Sequence, residues 1–239
     1  MTSIQFLEEF RIRGESQAHT KDQWYTVAAV SLAAAGAGPD VTLLYQMATA
    51  GTSLDEEKRI QRRLKEAILK TSILYGVPRS LQTLLPLFAT LDDEHIDHYG
   101  PRTNALKNGQ IIEERQTRAR KYFDTLWTPA AAQANREKNF KYQPDLYLLN
   151  LQTIYELWIS EDTILSPVET QMCNVGALVC SGSPVQAMWH ARGVVRHGGT
   201  IEQTRFAQDI ALAVGKAYGY RMGEVIPVHE IPFDDTAPH

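Results

Sequence analysis

Glu169, Cys173, Gly176 and Cys180 follow one another at steps of four, three and four. On a helix that spacing stacks them in one narrow stripe. Gln186, His190, Gly193 and His197 repeat the pattern a few residues later. Reactive or very small side chains thus occupy two stripes where an ordinary core helix carries leucine. An imidazole titrates near neutral pH and can pass a proton, with a carboxylate to orient it or share that proton. Cys173 and Cys180 offer thiols, but seven residues on one helix put their Cα atoms about 10 Å apart at about 1.5 Å rise per residue. That is too far for a disulfide, so they read as small core or cleft-lining residues. His190 lies just outside an apolar arc of Val185, Ala187, Met188, Ala191, Val194 and Val195. It is either an acid–base group or a histidine facing solvent or another subunit. Glu169 is equally well explained by helix capping alone.

The elements that must carry these stripes are legible as starts and stops. Ser166, Pro167 and Glu169 form a capping box, and Ser183, Pro184 and Gln186 repeat it. Thr200 with Gln203, Ser53 with Glu56 and Thr20 with Gln23 do the same, and Thr128 before Pro129 is a weaker version. Gly51, Gly76, Gly182, Gly198 and Gly219 stand where helical periods end. No alternating apolar–polar run suits a half-buried strand, and Asn108-Gly109 lies in a polar loop. The expected fold class is all-α, a helical bundle.

A chain of 239 residues buries a sizeable core as one large or two modest domains. The net charge of −4 argues against a nucleic-acid surface. No apolar run approaches the roughly 20 residues needed to cross a bilayer. The opening MTSIQFLEEFRIRGES has no signal-peptide core and contains acids. Two cysteines make no disulfide framework. The expectation is a reduced, cytoplasmic protein. Asp92, Asp93, His95, Asp97 and His98 match no zinc or EF-hand spacing. No metal or cofactor is expected.

Organisation divides at a polar segment, 91–110, rich in Gly, Pro and Asn. Residues 1–110 form an N-terminal helical block with that linker, and 111–239 a second domain. In the first, a helix over 55–75 turns Ile60, Leu64, Ala67, Ile68 and Leu74 inward, with Arg59, Arg62, Arg63 and Lys65 as a solvated stripe. In the second, a helix over 144–159 turns Leu148, Leu151, Tyr155 and Trp158 inward. GVPRSLQTL (76–84) and GSPVQAMWH (182–190) share Gly-x-Pro at a helix start, which points to a diverged tandem of two helical repeats. Leu84 then stands where His190 stands.

The second domain resembles the carboxymuconolactone decarboxylase superfamily, which includes the alkyl hydroperoxidase D (AhpD)-like proteins. The resemblance rests on Glu169, then His190, Gly198 eight residues on, Thr200 and Glu202-Gln203, with ARKYFDTLW (119–127) and LQTIYELWIS (151–160) as the preceding helices. It implies an AhpD-like bundle. The Cys-x-x-Cys pair of the peroxidase branch is replaced by Ser183 and Gln186. The resemblance therefore implies a cofactor-independent lyase or isomerase on a small oxygenated organic acid, with His190 and Glu169 catalytic. Ser183, Gln186, Cys180, Cys173 and His197 would line the pocket, and Arg192 or Arg205 would hold a carboxylate. Two alternatives are a thiol peroxidase or redox protein using Cys173 or Cys180, and a helical oligomer or small-molecule binder without catalysis. A small-molecule substrate and a homo-oligomer are expected, with neither nucleic acid nor membrane as partner.

Overall fold

The computed structural model describes residues 4–109 and 112–234. Every regular element among them is helical. α1 (Glu8–Glu15), α2 (Trp24–Ala34), α3 (Val41–Thr49), α4 (Leu54–Tyr75) and α5 (Val77–Phe88) precede the polar segment. That segment is not a plain linker, because Pro101 opens a short helix, α6 (Pro101–Lys107). The boundary itself, at 110 and 111, lies outside the described residues. α7 (Ile112–Trp127), α8 (Pro129–Tyr142) and α9 (Pro144–Tyr147) follow, and α9 runs directly into a π-helix, Leu148–Ile159. α10 (Pro167–Cys180), α11 (Pro184–Arg196) and α12 (Ile201–Ala217) complete the bundle.

α2 and α10 form its centre. Every residue of α2 is buried, and so is α10 from Thr170 to Cys180. The alanine and valine of α2 and the small stripe of α10 let the two backbones approach. A Cβ on Gly176 would stand 2.9 Å from Ser31 Oγ and 3.1 Å from Val27 Cγ1. α4, α11 and α12 surround α10. One apolar core therefore draws on both sides of the polar segment, from Leu7 and Trp24 to Phe206 and Val228. A smaller core joins α7, α8 and the π-helix through Phe123, Leu126, Ala132, Tyr155 and Ile159.

The capping boxes at Ser166 and Thr200 are both made, and Ser53 accepts from the Glu56 amide. All five stop glycines have positive φ, the region a Cβ penalises. Three start signals fail, and Thr128 before α8 is one, with no side-chain cap bond. Ser183 precedes α11 without a side-chain cap bond. The Thr20 hydroxyl donates to the Gly14 carbonyl instead, and α2 begins only at Trp24.

Two faces also differ from expectation. The three arginines of the charged stripe of α4 are paired rather than solvated: Arg59 binds Asp22 and Glu56, Arg62 binds Asp97, and Arg63 is buried against Glu169, while Lys65 bonds only neutral oxygens. In the 144–159 segment Tyr155 and Ile159 are buried, while Leu148 is 45% exposed. A π-helix closes i→i+5 bonds, so the inward set no longer follows a 3.6-residue period. Arg102 steadies its end by donating to the Leu157 carbonyl at 2.8 Å and the Trp158 carbonyl at 2.5 Å. Lys70 is fully buried and donates to the Glu161 carbonyl and, at 2.8 Å, to Thr170 Oγ1. Burial pulls its ammonium down to about 8.

Candidate functional site

The stripe on α10 faces α2 and α4, away from α11. Glu169 closes the capping box, accepting from the Ser166 amide at 2.9 Å, and its other oxygen pairs with Arg63 of α4. Arg63 in turn donates to Tyr25 at 3.0 Å and to the Ile164 carbonyl at 3.1 Å. Cys180 donates to the Ala211 carbonyl at 3.2 Å. Cys173 and Cys180 are both free and buried, and burial pushes both thiols up to about 12. Neither is the exposed, low-pKa thiolate that peroxide chemistry requires. These three residues hold the bundle together.

His190 is held by the opposite face of α10. Its Nδ1 lies 2.6 Å from Gln171 Oε1. With Gln171 oriented in this way its carboxamide oxygen accepts, which assigns the proton to Nδ1 and the lone pair to Nε2. Asn174 Nδ2 stands 3.4 Å from the same ring atom, while Asn174 Oδ1 has no partner. Turning that amide over gives the Nδ1–H a second acceptor. Gln171 Nε2 donates at 2.6 Å to the hydroxyl of Tyr122 on α7. Gly193 allows this packing, since a Cβ there would meet Gln171 Oε1 at 2.9 Å and Leu126 Cδ1 closer still. Burial, helped by the nearby His197, pulls His190 down to about 4, so the ring is neutral at neutral pH.

His190 opens into a cleft of about 560 Å³ between α8, the π-helix and α11. Trp127, Trp189 and Tyr155 give it aromatic walls; Gln186 and Lys138 give it a polar mouth. Trp189 Nε1 is buried without a hydrogen-bond partner. His197 lies across the wall. Its ring stacks on Tyr122 with centroids 4.5 Å apart and lines a separate cleft of about 580 Å³, with Lys121 and Arg118. Burial pulls His197 down to about 4 as well. A string of His190, Gln171, Tyr122 and His197 thus runs between the two clefts.

Of the expected site residues, His190 and Gln186 share a cleft, and His197 faces the other one. Glu169 meets Arg63 and not His190. Ser183 lies at the α11 start and is absent from the walls of this cleft. Arg192 is buried and donates to the Pro232 carbonyl at 2.9 Å, fastening the tail that follows α12. Arg205 is exposed. Gln171, Asn174, Tyr122, Trp127 and Trp189 were not among the expected site residues. A second polar row on α10, Gln171 and Asn174 three apart inside an apolar helix, is the signal that marks two of them.

The chain is similar to two curated proteins, both named Peroxisomal protein 2. The one from Schizosaccharomyces pombe is 27% identical over 161 residues, 67% of this chain and 72% of the relative. The one from Saccharomyces cerevisiae is 24% identical over 182 residues, 68% of this chain and 64% of the relative. This chain therefore spans less than two thirds of that second protein's length. No family model and no solved structure matches the chain.

These findings correct the resemblance drawn from the second domain. No family model supports the carboxymuconolactone decarboxylase or AhpD-like assignment, and both relatives bear a different name. The quoted pattern has a structural origin here: Glu169 and Thr200 serve capping boxes, and Gly198 takes a positive φ at the end of α11. The lyase, isomerase, decarboxylase and peroxidase readings fall with it. The cytoplasmic expectation is overturned too, since the relatives' name ties them to the peroxisome.

Proposed function

We propose that this chain has a peroxisome-associated role and that it holds a small molecule with an aromatic body and a hydroxyl or N–H donor. The relatives' name supports the first part. The His190 cleft supports the second. Its carrying observation is the 2.6 Å contact of His190 Nδ1 with Gln171 Oε1 in a ring that lines the cleft; with the proton assigned to Nδ1, Nε2 is the acceptor offered to a ligand. Trp127 and Trp189, 5.3 Å apart in an edge-on pair, supply flat apolar surface beside it. The volume lies within the range of about 300–1,000 Å³ usual for small-molecule sites.

Phenol and benzene are matched probes, because only phenol can donate to Nε2. Indole fluorescence titrated with phenol should change saturably, and benzene should bind about tenfold more weakly, one lost hydrogen bond being worth about 1 kcal/mol or somewhat more. His190→Ala should erase the difference between the probes. Equal affinities of the two for the wild-type chain would refute the binding assignment. For the location, a tagged chain expressed in yeast should coincide with a peroxisomal marker; an even cytosolic distribution would refute that part alone.

A further inference from the structure

A third cleft, of about 420 Å³, lies between α4, α6 and the π-helix, with neither histidine in its lining. Its walls are apolar: Leu69, Leu157, Trp158 and Ile164, with Leu106 at the mouth 67% exposed. Three cations border the channel, Arg62, Lys65 and Arg102.

Two of the three are already neutralised. Arg102 makes a two-pronged pair with Glu66, with contacts of 2.9 and 2.8 Å, and lies over the Trp158 ring. Arg62 binds the buried Asp97 carboxylate at 2.6 Å and covers the Tyr99 ring. Lys65 differs. Its ammonium donates only to neutral oxygens, Gln61 Oε1 at 3.0 Å and the Asp97 carbonyl. No carboxylate pairs with it among the described residues. Glu66 and Asp97 form contact ion pairs with Arg102 and Arg62, so Lys65, which feels Asp97 only from further off, is the one cation of the three with no carboxylate in contact.

We infer that this cleft is a binding site for an amphiphilic monocarboxylate: an unbranched acyl chain in the channel, with its carboxylate on Lys65 Nζ. The apolar wall selects the chain, and the one unmatched ammonium selects a single negative head group. This site is independent of the His190 cleft and stands or falls apart from the proposed function.

The test is calorimetric titration of the full chain with sodium octanoate, hexanoate and acetate, and with octan-1-ol. Octanoate should bind saturably at one site. Each methylene is worth about 0.8 kcal/mol, a factor of about four, so hexanoate should bind up to about 15-fold more weakly. Acetate should not saturate. Octan-1-ol should bind more weakly than octanoate. Lys65→Met, which keeps the apolar stem, should weaken octanoate at least tenfold and leave octanol unchanged, and Lys65→Arg should restore octanoate. His190→Ala should leave octanoate binding intact. Absence of saturable octanoate binding, equal affinities for acetate and octanoate, or an unchanged affinity in Lys65→Met would each overturn the inference. The chain-length series uses no variant, so it stands even if Lys65→Met destabilises the fold.

Discussion

His190→Asn should flatten part of the acid sensitivity of this fold. The asparagine amide nitrogen falls where Nδ1 stands, so the bond to Gln171 Oε1 can persist while the titrating group is removed. An unfolded chain takes up a proton on this ring near the ordinary imidazole value of 6.5, whereas the folded chain does so only near 4. Between those values the unfolded state binds more protons, so stability falls as acid is added. The loss starts near pH 6.5 and levels off below 4. At 1.36 kcal/mol per pH unit, the gap corresponds to about 3 kcal/mol for this buried ring. In a chain of this size that is a drop of roughly 6–12 °C in Tm. The hydrogen-bonding neighbours of His190, Gln171 and Asn174, are neutral; Lys138 lines the same cleft, and the depressed titration of His197 adds to the wild-type slope. The assay is urea unfolding of both proteins between pH 4 and 7.5, with stability plotted as the difference between them. Carboxylates elsewhere cancel in that difference, as does the constant cost of a smaller side chain. The difference should narrow by about 3 kcal/mol from pH 7 to pH 4. A difference independent of pH would show that the ring is not buried in its neutral form.

Two further perturbations separate packing from the cleft. Gly176→Ala drives a methyl against Ser31 and Val27 and should cost about 1–3 kcal/mol; differential scanning calorimetry should show Tm lower by about 2–12 °C, and an unchanged Tm would mean that α2 and α10 are not this close. Glu169→Gln keeps a group able to serve the cap but strips the charged partner from buried Arg63, which should cost about 3–5 kcal/mol by chemical denaturation; phenol affinity should stay within twofold, and a larger change would link Glu169 to the cleft.

The stripes were legible as stripes, but not their partners. Periodicity places Glu169, Cys173, Gly176 and Cys180 on one face of α10, and they do share one; it cannot say that α2 and α4, more than a hundred residues earlier, cover that face. Chain adjacency suggested α11 instead. His190 was visible because an imidazole interrupts an apolar arc. Gln171 and Asn174 were passed over because carboxamides in a helix usually face water, and only the packing of α7 and α11 on α10 buries them. The helical class and the five stop glycines were readable because they are local matters of backbone sterics and capping. The π-helix was not, since its i→i+5 bonding departs from the period used to read the sequence. The pairing of Arg62 with Asp97 joins residues 35 apart, beyond the reach of any helical spacing.

The placement of α10 has a consequence for biogenesis. α2 leaves the ribosome early with all its residues destined for the interior, yet the rod that covers it is translated some 130 residues later. At about 5–20 residues per second that interval lasts roughly 6–30 seconds. Throughout it α3, α4 and α5 can already pack on α2, but the side of α2 that α10 and α12 cover stays open. Closure of the core therefore waits on the translation of α10.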